Sequence, residues 1–286
     1  MGGHKNKYLQ SVVKSVLPII ICLLLSIPAF SHGDLSVRIE KKTAEILKHP
    51  TNPELYFERG MLYQQHVEYT KAYNDYLKSE SLGNTNKALK YRMAELHYLT
   101  EDYNEALKAI TSCLEIDKTD VKSKKLEAQI YYQLKSYNKA LTAYGYVMTN
   151  MTDIRPEDVL EYSDIILADN NKNYNDALVA IESGLEKLGP NTLSLQLKKL
   201  DYLIASHQSE KVIKQYDYFI LQYKRKEFWY YKKALYLIQN NKPEAANISL
   251  KLATISIEQL DAKYKSMNSI IELKQQIKDT ENSLNN

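Results

Sequence analysis

Three series of residues in this sequence recur at one interval. Small residues stand at Gly60, Ala94 and Ala128, alanines at Ala72, Ala106 and Ala140, and tyrosines at Tyr69, Tyr103 and Tyr137, each 34 residues after the one before. The order inside every unit is also the same: the small residue, an aromatic or His three later (Tyr63, His97, Tyr131), then Tyr, then Ala, then a bulky apolar residue (Tyr76, Ile110, Tyr144). A fixed period of this length marks a repeat architecture, in which one unit cannot bury its apolar face without its neighbours. Apolar residues within each unit fall at i, i+3, i+4 and i+7, the pattern of two amphipathic helices. Antiparallel helices come close only where side chains are small. Gly60, Ala94 and Ala128 on the first helix, with Ala72, Ala106 and Ala140 on the second, are therefore the predicted contact points.

This unit, in its length and its order of small, aromatic and alanine positions, resembles the tetratricopeptide repeat (TPR), a helix–turn–helix of 34 residues. The resemblance implies an all-α fold, a TPR α-solenoid of about six repeats with capping helices at both ends. Units begin near residues 53, 87, 121, 156, 193 and 227 of an array spanning 53–260. The fourth has Ser163 as its small residue, Ala177 in the second helix, an internal turn longer by two residues, and Gly189-Pro190 as its stop. The fifth is the weakest match, with Leu200 and Val212 at the small positions; the sixth restores Ala234, Ala246, Leu250 and Ala253. A capping helix is predicted within 32–50, opened by Asp34, striped by Leu35, Ile39, Ile46 and Leu47 with Ala44, and stopped by His49-Pro50. Residues 261–286 form a C-terminal cap and tail, with a helix from about Lys263 to Lys278 carrying Met267, Ile270, Ile271 and Leu273.

Residues 1–31 have the layout of a signal peptide: a basic start, an apolar run from Val16 to Ile27 broken by Pro18 and Ser26, then Pro28-Ala29-Phe30-Ser31. That run is shorter than the roughly 20 residues of a membrane-spanning helix. The expectation is cleavage after Ser31 and an exported protein, periplasmic or extracellular, similar to exported bacterial TPR proteins; the alternative is an uncleaved anchor in the inner membrane. Cleavage there makes His32 the first residue, and its free amine and imidazole give a second alternative, a metal-handling protein. Cys113 is then the one remaining cysteine, at a small buried position matching Ser79 and Val147. The first 31 residues hold Lys5, Lys7 and Lys14 and no acid, leaving 35 basic residues against 35 acidic ones. Such a balance gives no general attraction to nucleic acid, and a membrane enters only through an uncleaved signal.

P-loop, G-x-G-x-x-G, G-x-S-x-G and H-E-x-x-H motifs are missing from the sequence, and its eight glycines are scattered. The reading is a non-enzymatic scaffold without a cofactor, binding a partner protein or peptide. The TPR resemblance implies a concave groove faced by the second, fifth, ninth and twelfth residues of each unit. Carried over, these positions give Phe57, Met61 and Gln64; Tyr91, Glu95 and Tyr98; Lys122, Lys125, Gln129 and Tyr132; and Phe228 and Tyr231 with Leu235 and Ile238, a set partly covered by the final helix. The Lys and Asn of the chaperone-tail clamp are replaced by Phe57 and Met61, so that specificity is not implied.

Overall fold

A computed structural model describes residues 34–169 and 173–285, among which the regular structure is helical with no strand. Helix α1 covers 34–48. It is followed by α2 (Pro53–Gln65), α3 (Tyr69–Ser81), α4 (Lys87–Leu99), α5 (Tyr103–Ile116), α6 (Val121–Gln133) and α7 (Tyr137–Asn150). After the boundary between Asn150 and Met151, which divides the chain into two compact units, come α8 (Pro156–Asp169), α9 (Tyr174–Leu188), α10 (Leu193–Ala205), α11 (Ser209–Gln222), α12 (Glu227–Gln239), α13 (Pro243–Glu258), the short α14 (Ala262–Lys265) and α15 (Asn268–Asn285). The signal segment and His32 lie outside the described residues.

In the first unit α2/α3, α4/α5 and α6/α7 form three helical hairpins, each opened and turned by the same local chemistry. Asn52, Asn86 and Asp120 cap the first helices, each side-chain oxygen accepting from a backbone N–H of the first turn, at 3.0, 3.1 and 2.9 Å. At the turn inside each hairpin one residue adopts a left-handed backbone: Val67, Glu101 and Lys135, with φ of 63°, 62° and 56°. The next residue donates its N–H back across the turn, Glu68 to Tyr63 O, Asp102 to His97 O and Ser136 to Tyr131 O, each at 2.9 Å. This bond closes the helix end and satisfies a carbonyl that would otherwise be left unpaired. A β-branched Val67 at positive φ is strained, and it holds there because the turn is fixed by the helices on both sides.

Helix pairing runs through the small residues. Gly60, Ala72, Ala94, Ala106, Ala128 and Ala140 are all buried, and Tyr76, Ile110 and Tyr144 fill the space beside them with no exposure. Gly60 lies under the Tyr76 ring: a Cβ at this position would stand 2.5 Å from Tyr76 Cε1. Cys113 is fully buried beside Ser123, Sγ to Oγ 3.2 Å, and burial pushes its thiol pKa up. Ion pairs also join successive repeats: Lys90 pairs with Glu80 of the repeat before, and Lys87 Nζ reaches Asp117 Oδ2 at 2.8 Å and Asp120 Oδ1, in the cap of the third repeat, at 3.2 Å.

Helix α1 packs on the first hairpin with a narrower stripe than the sequence suggests. Ile39 and Ile46 are buried, whereas Leu47 is 79% exposed. The contact is completed by polar groups: Arg59 Nη1 donates to Thr43 Oγ1 at 3.1 Å while Nε and Nη2 hold Asp75 at 2.7 Å each, and Lys42 pairs with Glu58 at 2.5 Å.

The second unit repeats the scheme with α8/α9, α10/α11 and α12/α13. Ser163, Ala177, Ala234 and Ala246 occupy the small positions and are fully buried. Left-handed turns recur at His207 and Asn241, both at φ 56°. In α10/α11 the small positions hold Leu200, Val212 and Phe219, all buried, and these helices approach each other less closely along their length than α12 and α13 do. Buried Gln196 and Gln215 join across this wider gap, Nε2 of Gln215 donating to Oε1 of Gln196 at 2.6 Å. The C-terminal cap begins as a separate turn, α14, before α15. Helix α15 buries Ile270 and Leu273 as predicted and adds Ile277, at i, i+3 and i+7, while Met267 and Ile271 are exposed, so the buried stripe is narrower than expected and continues further along the helix.

Two measurements test this packing. Gly60→Ala forces the enclosed Tyr76 ring to move and lowers stability by roughly 1–3 kcal/mol, read as a lower urea midpoint; an unchanged midpoint would show that the helices do not meet there. Hydrogen bonds from Lys87 and Thr119 hold the Asp117 carboxyl at about 2, below its ordinary 3.8. Its stabilising contribution is therefore complete above pH 4 and is lost as pH falls through 2. Asp117→Asn should flatten the fall in melting temperature between pH 4 and pH 2, and parallel curves for the two proteins would count against the pairing.

Candidate functional site

The side chains expected on the first-helix face divide by unit, ten in the first and four in the second. In the first unit α2, α4 and α6 carry them on successive repeats. Phe57 is buried, its ring centroid 6.0 Å from that of Tyr76. Met61, one turn further on, is half-buried against the same cluster.

Polar groups then run along the face as a chain of contacts. Tyr76 donates its hydroxyl to Gln64 Oε1 at 2.6 Å, and Gln64 Nε2 donates to Glu95 Oε2 at 2.8 Å, linking the first repeat to the second. Arg92 Nη1 donates to the same carboxylate oxygen at 2.6 Å, and Tyr91 OH reaches Oε1 at 3.5 Å. From the third repeat, Lys122 Nζ lies 4.2 Å from the centroid of the Tyr91 ring, a cation–π contact. Burial, reinforced by the Glu95 carboxylate, raises the Tyr91 hydroxyl pKa; burial does the same to Tyr76. Gln64, Tyr91 and Glu95 thus join neighbouring repeats as much as they face outward.

Tyr98 and Tyr132 are held differently. Each half-buried ring packs on the tyrosine that opens the second helix of its own repeat, Tyr98 on Tyr103 and Tyr132 on Tyr137, with centroids 5.7 Å apart in both cases. Lys125 and Gln129 are half-buried on α6. This part of the face presents two braced aromatic rings beside amide and ammonium groups, a composition suited to contact with another polypeptide.

Phe228 and Tyr231 lie on α12 in the second unit. Both pack against the cluster containing Ile270, Leu273 and Ile277 of α15, and the Tyr231 hydroxyl lies 3.4 Å from Thr280 Oγ1. The chain's own last helix takes up their apolar surface.

A cavity of about 410 Å3 that the sequence does not announce lies between α1 and α2, with Met61, Arg38, Lys41 and Lys42 in its wall. Its only sequence signal was a short basic run in the first helix. Among the described residues no group of three or more His, Cys, Asp and Glu is placed to hold a metal ion, and no helix is long and apolar enough to cross a membrane.

The chain of contacts makes a direct prediction. A double-mutant cycle of Gln64→Ala and Glu95→Ala should give a coupling energy of about 1 kcal/mol in chemical denaturation; additive losses would mean that the two side chains do not bond.

The sequence matches no protein-family model and no curated protein sequence. Solved structures do match. The C-terminal part of a TPR repeat-containing protein from Cytophaga hutchinsonii aligns over 85% of this chain and 96% of its own, at 18% identity and a TM-score of 0.64. A tetratricopeptide repeat protein from Parabacteroides merdae aligns over 89% and 96%, at 15% identity and a TM-score of 0.54. A structure of Naa15/Naa10 bound to HypK-THB aligns over 83% of this chain and 36% of its own, at 15% identity and a TM-score of 0.50. With its repeat length, its paired helices and this backbone likeness, the chain has the fold of a tetratricopeptide-repeat solenoid.

Proposed function

We propose that the protein is an exported, non-enzymatic scaffold that binds a partner protein or peptide on the first-helix face of its first unit. The observation that carries this reading is the bracing of Tyr98 on Tyr103 and Tyr132 on Tyr137. Rings already fixed in place lose little conformational freedom on binding and bury much area, as recognition anchors must. Gln64, Lys122, Lys125 and Gln129 supply donors beside them. A TPR-like fold in a complex bound to HypK-THB supports a polypeptide as the kind of ligand. The export half of the proposal rests on residues 1–31, with cleavage after Ser31 placing the chain in the periplasm or outside the cell.

The test pairs Tyr98→Ala with Tyr132→Ala. Crosslinked capture from the native host should lose about tenfold of its specific partner relative to wild type, with the helical circular dichroism unchanged. Equal recovery by the folded double variant would remove this face from consideration, and an intact mass that retains residues 1–31 would remove the cleavage.

A further inference from the structure

The cavity between α1 and α2 lies at one end of that face and has a charge pattern of its own. Three cations line it, Arg38, Lys41 and Lys42, against two carboxylates, Glu45 and Glu58. Those carboxylates are already taken: Lys42 Nζ bonds Glu45 at 2.6 Å and Glu58 at 2.5 Å, and these bonds raise the ammonium pKa. Among the described residues no ion pair engages Arg38 or Lys41, although Lys41 adds a weaker charge effect on Glu45 to that of Lys42. The remaining wall is made by Met61, Leu62 and Gln65, and the Arg38 and Lys41 side chains stand exposed at its edge, open to a ligand. Met61 also stands on the first-helix face, at the ninth position of the first repeat. A segment lying along α4 and α2 therefore reaches this cavity at its end.

We propose that the cavity receives an acidic side chain, Asp or Glu, from the bound polypeptide, with Arg38 and Lys41 as its partners. The proposal rests on the reading of the first-helix face as a polypeptide-binding surface. It adds a direction to that surface: the acidic end of the segment lies at α1 and its apolar side chains lie toward Tyr98 and Tyr132. Charge-assisted contacts to a guanidinium and an ammonium fix this register as well as adding affinity.

The experiment selects binders to the immobilised full chain from a library of random peptides displayed through their C-termini, so that only side chains offer carboxylates. Enriched peptides should carry Asp or Glu at a constant spacing from apolar residues. Synthesised with acetylated and amidated ends, they should lose about tenfold in affinity by fluorescence anisotropy on Asp→Asn or Glu→Gln replacement, and about as much toward the Arg38→Ala/Lys41→Ala chain. The two losses should not add. The charge-reversed Arg38→Glu/Lys41→Glu chain should instead prefer the Lys-substituted peptide, a gain that a folding defect does not produce. Peptides that need Tyr98 and Tyr132 but carry no acid, or that bind the Arg38→Ala/Lys41→Ala chain unchanged, would overturn this inference and leave the face intact. A requirement for a free C-terminus would replace the side chain by the chain end and likewise overturn it. No enrichment, or binding indifferent to Tyr98 and Tyr132, would overturn both readings.

Discussion

The structure depends on the close approach of paired helices where side chains are smallest. At Gly60 there is no room for a methyl group under the Tyr76 ring, and the alanines at the equivalent positions of the next repeats are fully enclosed. Small and large residues alternate across the pair, so each hairpin is thin where the helices cross and filled on either side, as native packing density requires. The exception shows the same constraint. With Leu200, Val212 and Phe219 in the small positions, α10 and α11 stand further apart, and two buried glutamines bond across the gap rather than leave amides unpaired.

Backbone chemistry sets the length of the repeat. An Asx cap at Asn52, Asn86 and Asp120 opens the first helix, and a left-handed residue at Val67, Glu101 and Lys135 closes it. Both serve the unpaired groups that every helix end leaves. The caps use a residue type with a known preference and can be found by reading the sequence. The left-handed positions hold Val, Glu, Lys, His and Asn, which share no chemistry. They are set by the helices on both sides, so no composition rule marks them.

On the first-helix face, position in the repeat says which side chains share a surface and little about what each one does. Gln64, Glu95 and Arg92 bond among themselves and hold neighbouring repeats together, whereas Tyr98 and Tyr132 are braced within their own repeats. Phe228 and Tyr231 satisfy the same positional rule and are packed by α15. Long-range contacts make these distinctions: the partner of Gln64 lies 31 residues away and that of Tyr231 49 residues away.

The sequence by itself determined the repeat, its helix pairs, the small and bulky positions of the core and the all-α class. These follow from local periodicity, because a helix exposes the same face every 3.6 residues and a hairpin closes only over small side chains. Tertiary structure alone decided how much of each terminal stripe is covered, leaving Leu47 and Ile271 exposed and burying Ile277. It also decided the wider α10/α11 pair and the cavity that Arg38 and Lys41 share with Met61. Neither terminal helix belongs to a 34-residue repeat, so the period does not set its buried face. A cavity is made by residues far apart in the chain, and periodicity carries no information about either.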